Sequence, residues 1–124
     1  MSLRLRLAVM ASRAFLKPTI ARARDPARLR RMLRLFGRLA FREPPFTLAI
    51  RTSLGQGLPG LVVSNRPDTR PIRPEKAVLL LHGGGFVAGR ASDYRPFAAW
   101  IARRTGCTVF VPDYRLAPEH PFPA

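Results

Sequence analysis

Apolar and polar positions in the first 42 residues follow the spacing of amphipathic helices. Between residues 26 and 40 apolar side chains recur every three or four positions, which predicts a helix with one broad apolar face. We expect Asp25 to cap this helix and Pro26 to occupy its first position. The apolar face comprises Leu29, Met32, Leu33, Leu35, Phe36, Leu39 and Ala40, and the opposite face Arg30, Arg31, Arg34 and Arg38. A further amphipathic helix is predicted over residues 1–16.

The pattern then changes to a period of two, which predicts a β-hairpin. Residues 46–51 alternate apolar and polar side chains, as a half-exposed strand does. Glycines and a proline between residues 55 and 60 mark a turn, and residues 61–63 supply the partner strand. We expect this antiparallel hairpin to lie at an edge of the sheet.

A βαβ unit is predicted after the hairpin. Residues 77–81 form a continuous apolar run of strand length, which we expect to be buried on both faces. A helix that begins at a Ser92 or Asp93 cap and ends at Gly106 leads to a second apolar strand over residues 107–111. A helical crossover of this kind joins parallel strands, so the two strands are expected to be parallel.

Three consecutive glycines, Gly83, Gly84 and Gly85, follow His82 at the end of the first of these strands. Glycines forgo side-chain packing, but they leave their backbone N–H groups unobstructed. Donors just beyond the carboxyl end of a strand lie where open α/β sheets bind ligands, and there they can stabilise an oxyanion. A flexible turn after a core strand is the alternative interpretation of these four residues taken alone.

The charge of the chain is strongly basic and uneven. There are 22 Lys+Arg against 7 Asp+Glu, for a net charge of +15, and residues 1–42 hold 12 basic residues and one acidic residue. Such a block can attract nucleic acid or anionic lipid, or it can be the solvated face of helices. We favour the solvated face, as expected for amphipathic helices rich in arginine.

The sequence gives little sign of export or of a bound metal. The longest apolar run in residues 1–16 is too short for a secretory signal or a membrane span, so a cytoplasmic protein is expected. The Arg-rich start is also typical of a transit peptide or of a helix in a membrane interface. Cys107 is the single cysteine, and we expect no disulfide, metal or cofactor.

Two motifs taken together carry a family resemblance. The segment His82-Gly83-Gly84-Gly85-Phe86 is followed by residues 109–124, VFVPDYRLAPEHPFPA. In this order they closely resemble the hormone-sensitive-lipase-like (family IV) esterases of the α/β-hydrolase fold. The resemblance implies a partial α/β-hydrolase fold, with the first strands of a mostly parallel central sheet preceded by N-terminal cap helices. Residues 1–42 would be the cap, and residues 43–124 the first part of the core domain.

The resemblance also implies an activity, that of a carboxylic ester hydrolase with a serine nucleophile and an oxyanion hole. The N–H groups of Gly84 and Gly85 would be the hydrogen-bond donors of the oxyanion hole. Gly83, which has no side chain, would leave space for the turn. His82 would hold the glycine loop rather than act as a base. Phe86 would either line the substrate pocket or pack in the core. Tyr94 would face the same pocket or, as we favour, pack its helix.

A charged set after the second strand, Asp113, Arg115 and Glu119, is expected to be an ion-paired scaffold that supports the active-site loops. The chain contains no G-x-S-x-G motif, and the family's serine, acid and histidine are expected beyond Ala124. We therefore expect the 124 residues alone to be inactive, and to present an unpaired apolar edge at residues 77–81.

Two classes of function remain open at this point. The first is an esterase or lipase that acts on a small carboxylic ester, to which this chain contributes the oxyanion loop. The second is a non-catalytic basic module that binds a membrane surface or nucleic acid. We expect no specific nucleic-acid partner, and weak contact with a membrane surface through residues 1–42 is a secondary hypothesis.

Overall fold

A computed structural model describes residues 25–40, 42–65 and 76–123, with isolated positions at 6, 9, 10, 13, 14 and 18. The helix predicted over residues 1–16 therefore lies largely outside the described residues. Helix α1 spans Pro26–Ala40, and an antiparallel hairpin of β1 (Thr47–Leu54) and β2 (Leu58–Asn65) follows it. Strand β3 (Ala77–Leu79), a 3-10 turn (Ala91–Tyr94), helix α2 (Arg95–Thr105) and strand β4 (Thr108–Pro112) complete the order.

Helix α1 begins where the sequence predicts. The Asp25 side chain accepts a hydrogen bond from the N–H of Ala27 at 2.9 Å, which satisfies one of the donors at the helix start. The apolar face is narrower than expected, because Leu35 is 61% exposed. The expectation that all four arginines point outward is also wrong, since Arg31 is exposed but Arg30 and Arg34 are half-buried.

The hairpin and its place at the edge of the sheet are confirmed. The four strands lie in the order β1-β2-β4-β3, so β1 is an outer strand. The turn is tighter than predicted, because β1 and β2 pair up to Leu54 and Leu58 and leave only residues 55–57 between them. Pro59 and Gly60 therefore belong to β2.

The βαβ unit is confirmed as well, with β3 parallel to β4 and α2 between them. Gly106 ends α2 in a left-handed conformation, with φ of 69°, and its N–H donates to the carbonyl of Ala102 at 2.8 Å. The predicted cap at Ser92 or Asp93 is wrong, because both residues lie inside the 3-10 turn, and the residues at the two helix starts, Arg90 and Tyr94, make no capping hydrogen bond with their side chains. The N–H of Ala91 instead donates to the carboxylate of Asp113 at 2.6 Å.

One face of the sheet forms the core against α2. Valines of β2 and β4 are fully buried under three alanines of the helix, whose small side chains let helix and sheet approach closely. These residues are Val63, Val109, Val111, Ala98, Ala99 and Ala102.

The burial predicted for residues 77–81 is only half right. Val78 and Leu80 pack against the core, whereas Leu79 and Leu81 are 65% and 63% exposed. Alternate side chains of a strand point to opposite faces, and none of the described residues covers the face to which Leu79 and Leu81 point. Among the described strands β3 also pairs only with β4, which leaves one of its edges free. Because β3 and β4 are parallel, their carboxyl ends meet at one edge of the sheet, where the glycine loop and residues 113–120 lie together.

Candidate functional site

The glycine loop after β3 is a tight turn that only glycine permits at one position. The carbonyl of Gly84 accepts hydrogen bonds from the N–H groups of Val87, at 3.2 Å, and Ala88, at 3.1 Å. Gly84 has φ of 136°, and a Cβ added there would lie 1.9 Å from the carbonyl oxygen of Ala88. Gly85 also has a positive φ, 62°, but a Cβ there would meet nothing nearer than 3.8 Å. The turn is therefore fixed by hydrogen bonds to Gly84 and by the space that Gly84 leaves free.

The N–H groups of the three glycines are unused by the described residues. No hydrogen bond links the N–H of Gly83, Gly84 or Gly85 to another group in the described ranges. Gly83 and Gly85 are exposed and Gly84 is half-buried. A rigid turn thus carries backbone donors at the carboxyl edge of the parallel strands, a position suited to binding a developing negative charge.

His82 lies beneath this turn and is almost fully buried, with 4% of its surface exposed. Tyr114, which follows β4, donates its hydroxyl hydrogen to the His82 carbonyl, and the two rings stack with centroids 4.2 Å apart. Nδ1 of His82 lies 3.2 Å from the Tyr114 hydroxyl and 3.1 Å from the carbonyl of Gly83. A carbonyl oxygen only accepts hydrogen bonds, so the contact with Gly83 requires a hydrogen on Nδ1.

The other ring nitrogen of His82, Nε2, is buried and has no partner among the described residues. Gly89 packs closely against the His82 ring, and a Cβ added at Gly89 would lie 2.6 Å from Nδ1. The imidazole is thus held by hydrogen bonds and by stacking on Tyr114, and it lies under the loop. This placement fits a residue that supports the turn better than a base that exchanges protons with a substrate.

The two aromatic residues assigned to a substrate pocket differ in burial. Phe86 is 75% exposed at a φ of 59°, and its carbonyl accepts a hydrogen bond from the N–H of Ala117 at 2.9 Å. Tyr94 is half-buried, packs against the core and has its ring centroid 5.7 Å from that of His82. Phe86 therefore offers an apolar surface beside the glycines, whereas Tyr94 fills the space beneath them.

The charged set after β4 is not a single cluster. Asp113 caps the 3-10 turn through Ala91, and Glu119 forms its ion pair with Arg30 at 2.7 Å. Arg115 is exposed, and none of its contacts to the described residues is an ion pair. The expectation of an ion-paired scaffold among Asp113, Arg115 and Glu119 is therefore wrong for the described residues, because the two carboxylates bind partners outside the set.

Arg30 is the residue at this site that sequence analysis missed. Its guanidinium donates to the carbonyl of Val87 at 2.8 Å, to that of Ala117 at 3.0 Å and to both carboxylate oxygens of Glu119 at 2.7 Å. No local signal separates Arg30 from the other arginines of α1, because the groups that it contacts lie 57 to 89 residues away in the chain.

Two pKa shifts accompany these contacts. The hydrogen bond from Arg30 lowers the pKa of Glu119 from 4.5 to about 2, aided by a hydrogen bond from its own backbone. Burial raises the pKa of the Tyr114 hydroxyl above 10.0, and the nearby Tyr94 adds to the shift. Tyr114 is therefore a neutral hydrogen-bond donor at physiological pH.

A cavity of about 450 Å³ lies next to the loop, between α1, Gly89 and residues 113–120. Both signs of charge line it, and the three glycines do not. Over the ranges that the structure describes, no group of three His, Cys, Asp or Glu side chains is placed to hold a metal ion. None of the described helices has the length and apolar content that a membrane span requires.

Comparison with known proteins gives consistent matches. Residues 78–124 match a family model described as alpha/beta hydrolase fold. Hormone-sensitive lipase of Mus musculus is 42% identical over 65 residues, which are 52% of this chain and 8% of that protein. An esterase of Gibberella moniliformis is 43% identical over 51 residues, 41% of this chain and 16% of that protein.

Solved structures extend the similarity over more of the chain. A crystal structure of an esterase from the bacterial hormone-sensitive lipase (HSL) family is 35% identical, with a TM-score of 0.65, over 77% of this chain and 30% of the other. An esterase of Pyrobaculum calidifontis is 26% identical, with a TM-score of 0.66, over 100% of this chain and 38% of the other. The chain thus spans about a third of the length of these solved relatives.

Proposed function

Since the chain belongs to the hormone-sensitive-lipase-like esterases of the α/β-hydrolase fold, we propose that it supplies the oxyanion-binding loop of a serine carboxylesterase or lipase. The N–H groups of Gly84 and Gly85 would donate to the carbonyl oxygen of a small ester as a serine attacks it. The observation that carries this proposal is that these N–H groups, in a turn fixed by hydrogen bonds, are unused by any described residue.

The chemistry gives the loop a definite share of catalysis. When a hydroxyl attacks an ester, the carbonyl oxygen gains a negative charge, and donors already aimed at it need no reorganisation. Removing one such donor typically costs about 2.7–4 kcal/mol of transition-state stabilisation. Gly83 would leave room for the carbonyl, His82 would support the turn from below, and Phe86 would offer an apolar wall to the acyl or alcohol group.

The remaining parts of the active site would come from residues that this chain does not contain. No G-x-S-x-G motif is present in residues 1–124, and the nucleophile in such enzymes sits on a strand-to-helix elbow. The 124 residues alone are therefore proposed to be inactive. The alternative, a basic module for membrane or nucleic acid, is less favoured because Arg30 of the basic segment is used in internal contacts.

A chimera tests the proposal. Residues 26–124, which include Arg30, would replace the matching segment of the solved bacterial esterase of the hormone-sensitive lipase family, and hydrolysis of p-nitrophenyl butyrate would be measured. A version of the chimera without its nucleophilic serine sets the background. We expect turnover well above that background, and none from the 124-residue chain alone. A folded chimera with background activity would contradict the proposal.

A further inference from the structure

Arg30 joins helix α1 to two segments that are distant in sequence. One guanidinium group donates to the carbonyls of Val87 and Ala117 and to both oxygens of Glu119. Ala117 in turn donates its N–H to the carbonyl of Phe86. Two successive carbonyls of the glycine loop, those of Phe86 and Val87, are thus held from outside the loop.

The contact with Val87 reaches the glycines through peptide geometry. A trans peptide is planar, and its C=O and N–H point in opposite directions. The carbonyl of Val87, which Arg30 binds, shares its plane with the N–H of Ala88. That N–H donates to the carbonyl of Gly84, which shares its plane with the N–H of Gly85. Fixing the first plane therefore restricts the direction in which the Gly85 N–H points.

We propose that Arg30 is a positioning residue for the N–H of Gly85, acting through the Val87–Ala88 and Gly84–Gly85 peptide planes. The importance of that N–H rests on the proposed function, whereas the mechanical link does not. By this link, helix α1 sets the geometry of the glycine loop, although the two lie more than 40 residues apart along the chain.

The role requires arginine and not only a positive charge. The planar guanidinium presents several donors in a fixed fork, and here it serves two carbonyls and a carboxylate at once. A lysine has a single nitrogen at the end of a flexible chain and cannot reproduce this arrangement. Glu119 fixes the orientation of the Arg30 guanidinium by accepting two of its hydrogen bonds.

Amide hydrogen exchange on the isotopically labelled 124-residue chain tests the inference. Arg30→Ala is expected to accelerate exchange of the Val87 and Ala88 N–H groups on the order of tenfold and to shift the amide resonance of Gly85. The N–H of Gly106, which ends α2, serves as an internal reference and should exchange at its normal rate. Arg31→Ala is the matched control, because Arg31 is an exposed arginine of the same helix.

The outcomes separate this inference from the proposed function. If the Val87 and Ala88 N–H groups of Arg30→Ala exchange at the same rate as in the wild type, the inference about Arg30 is overturned. If Arg30→Ala also accelerates hydrogen exchange at the Gly106 N–H, the variant has unfolded the chain. The same exchange measurement on Arg30→Lys then tests the inference. Selective acceleration at Val87 and Ala88 in that variant supports the inference, and wild-type exchange overturns it. An inactive esterase chimera would overturn the proposed function and leave the exchange result untouched.

Discussion

The hydroxyl of Tyr114 donates a hydrogen bond to the backbone carbonyl of His82, and the two rings stack with centroids 4.2 Å apart. This pair joins the segment after β3 to the segment after β4, the two neighbouring parallel strands. It therefore fixes the start of the glycine loop at His82, whereas Arg30 contacts its end at Val87. The loop is held at both of its ends by residues outside it.

Replacing Tyr114 with phenylalanine should destabilise the chain. The ring still stacks on His82, but the His82 carbonyl and Nδ1 lose a partner in a buried setting, which costs about 1–3 kcal/mol. Urea unfolding followed by circular dichroism measures the loss. Phe122→Leu is a suitable control, because Phe122 is 97% exposed. Equal stabilities for Tyr114→Phe and the wild type would show that the hydroxyl contributes nothing to the loop.

Alanine substitutions at adjacent glycines should differ sharply in effect. At Gly84 an added Cβ would lie 1.9 Å from the carbonyl oxygen of Ala88, so the turn must open. At Gly85 the nearest atom is 3.8 Å away, and the cost is only the left-handed backbone, about 1–2 kcal/mol. Unfolding free energies of the two variants test this order. A Gly84→Ala variant as stable as Gly85→Ala would contradict the described turn.

The ion pair of Arg30 and Glu119 should make stability depend on pH in the acid range. Folding lowers the pKa of Glu119 from 4.5 to about 2, so the folded state favours the charged carboxylate. This contribution is present above pH 4.5 and is lost as the pH falls from there towards 2. The stability difference between wild type and Glu119→Gln should therefore shrink over that interval. A difference that stays constant with pH would rule out the linkage.

The uncovered side of β3 should make the isolated chain associate. Leu79 is 65% exposed on an outer strand whose free edge can pair with another chain. Leu79→Lys should lower the average mass measured by light scattering at rising protein concentration, with little change in stability. Val78→Lys is the contrasting variant, since Val78 packs against the core and its replacement should destabilise the fold. Unchanged association of Leu79→Lys would exclude β3 as the interface.

Local patterns were sufficient to predict most of the fold. The apolar stripe and the Asp25 cap located α1, the turn residues located the hairpin, and Gly106 located the end of α2. These features depend on residues close together in sequence. The predicted burial of Leu79 and Leu81 failed because it depends on what packs against the second face of the sheet, which a pattern within one strand does not reveal.

The glycine N–H donors of the site could be predicted from the sequence, but the residues that hold the glycine loop in place could not. The glycine run indicates free N–H groups by its composition alone, and the resemblance adds their role. The link from Arg30 to Val87 and Glu119 spans 57 and 89 residues, and nothing near Arg30 in sequence indicates it. The function of Arg30 depends on which carbonyls and carboxylate the fold brings to helix α1.

The central claim is that backbone N–H groups of the glycine loop stabilise the oxyanion of an ester. The most direct measurement replaces the Gly85 amide with an ester linkage in the esterase chimera, which removes its N–H and also makes the Gly84 carbonyl a weaker acceptor. We predict that kcat for p-nitrophenyl butyrate falls by about 10²–10³ with KM nearly unchanged. The same replacement at Gly106, at the far end of α2, should leave kcat unchanged. A folded chimera that keeps full kcat without the Gly85 N–H would contradict the account.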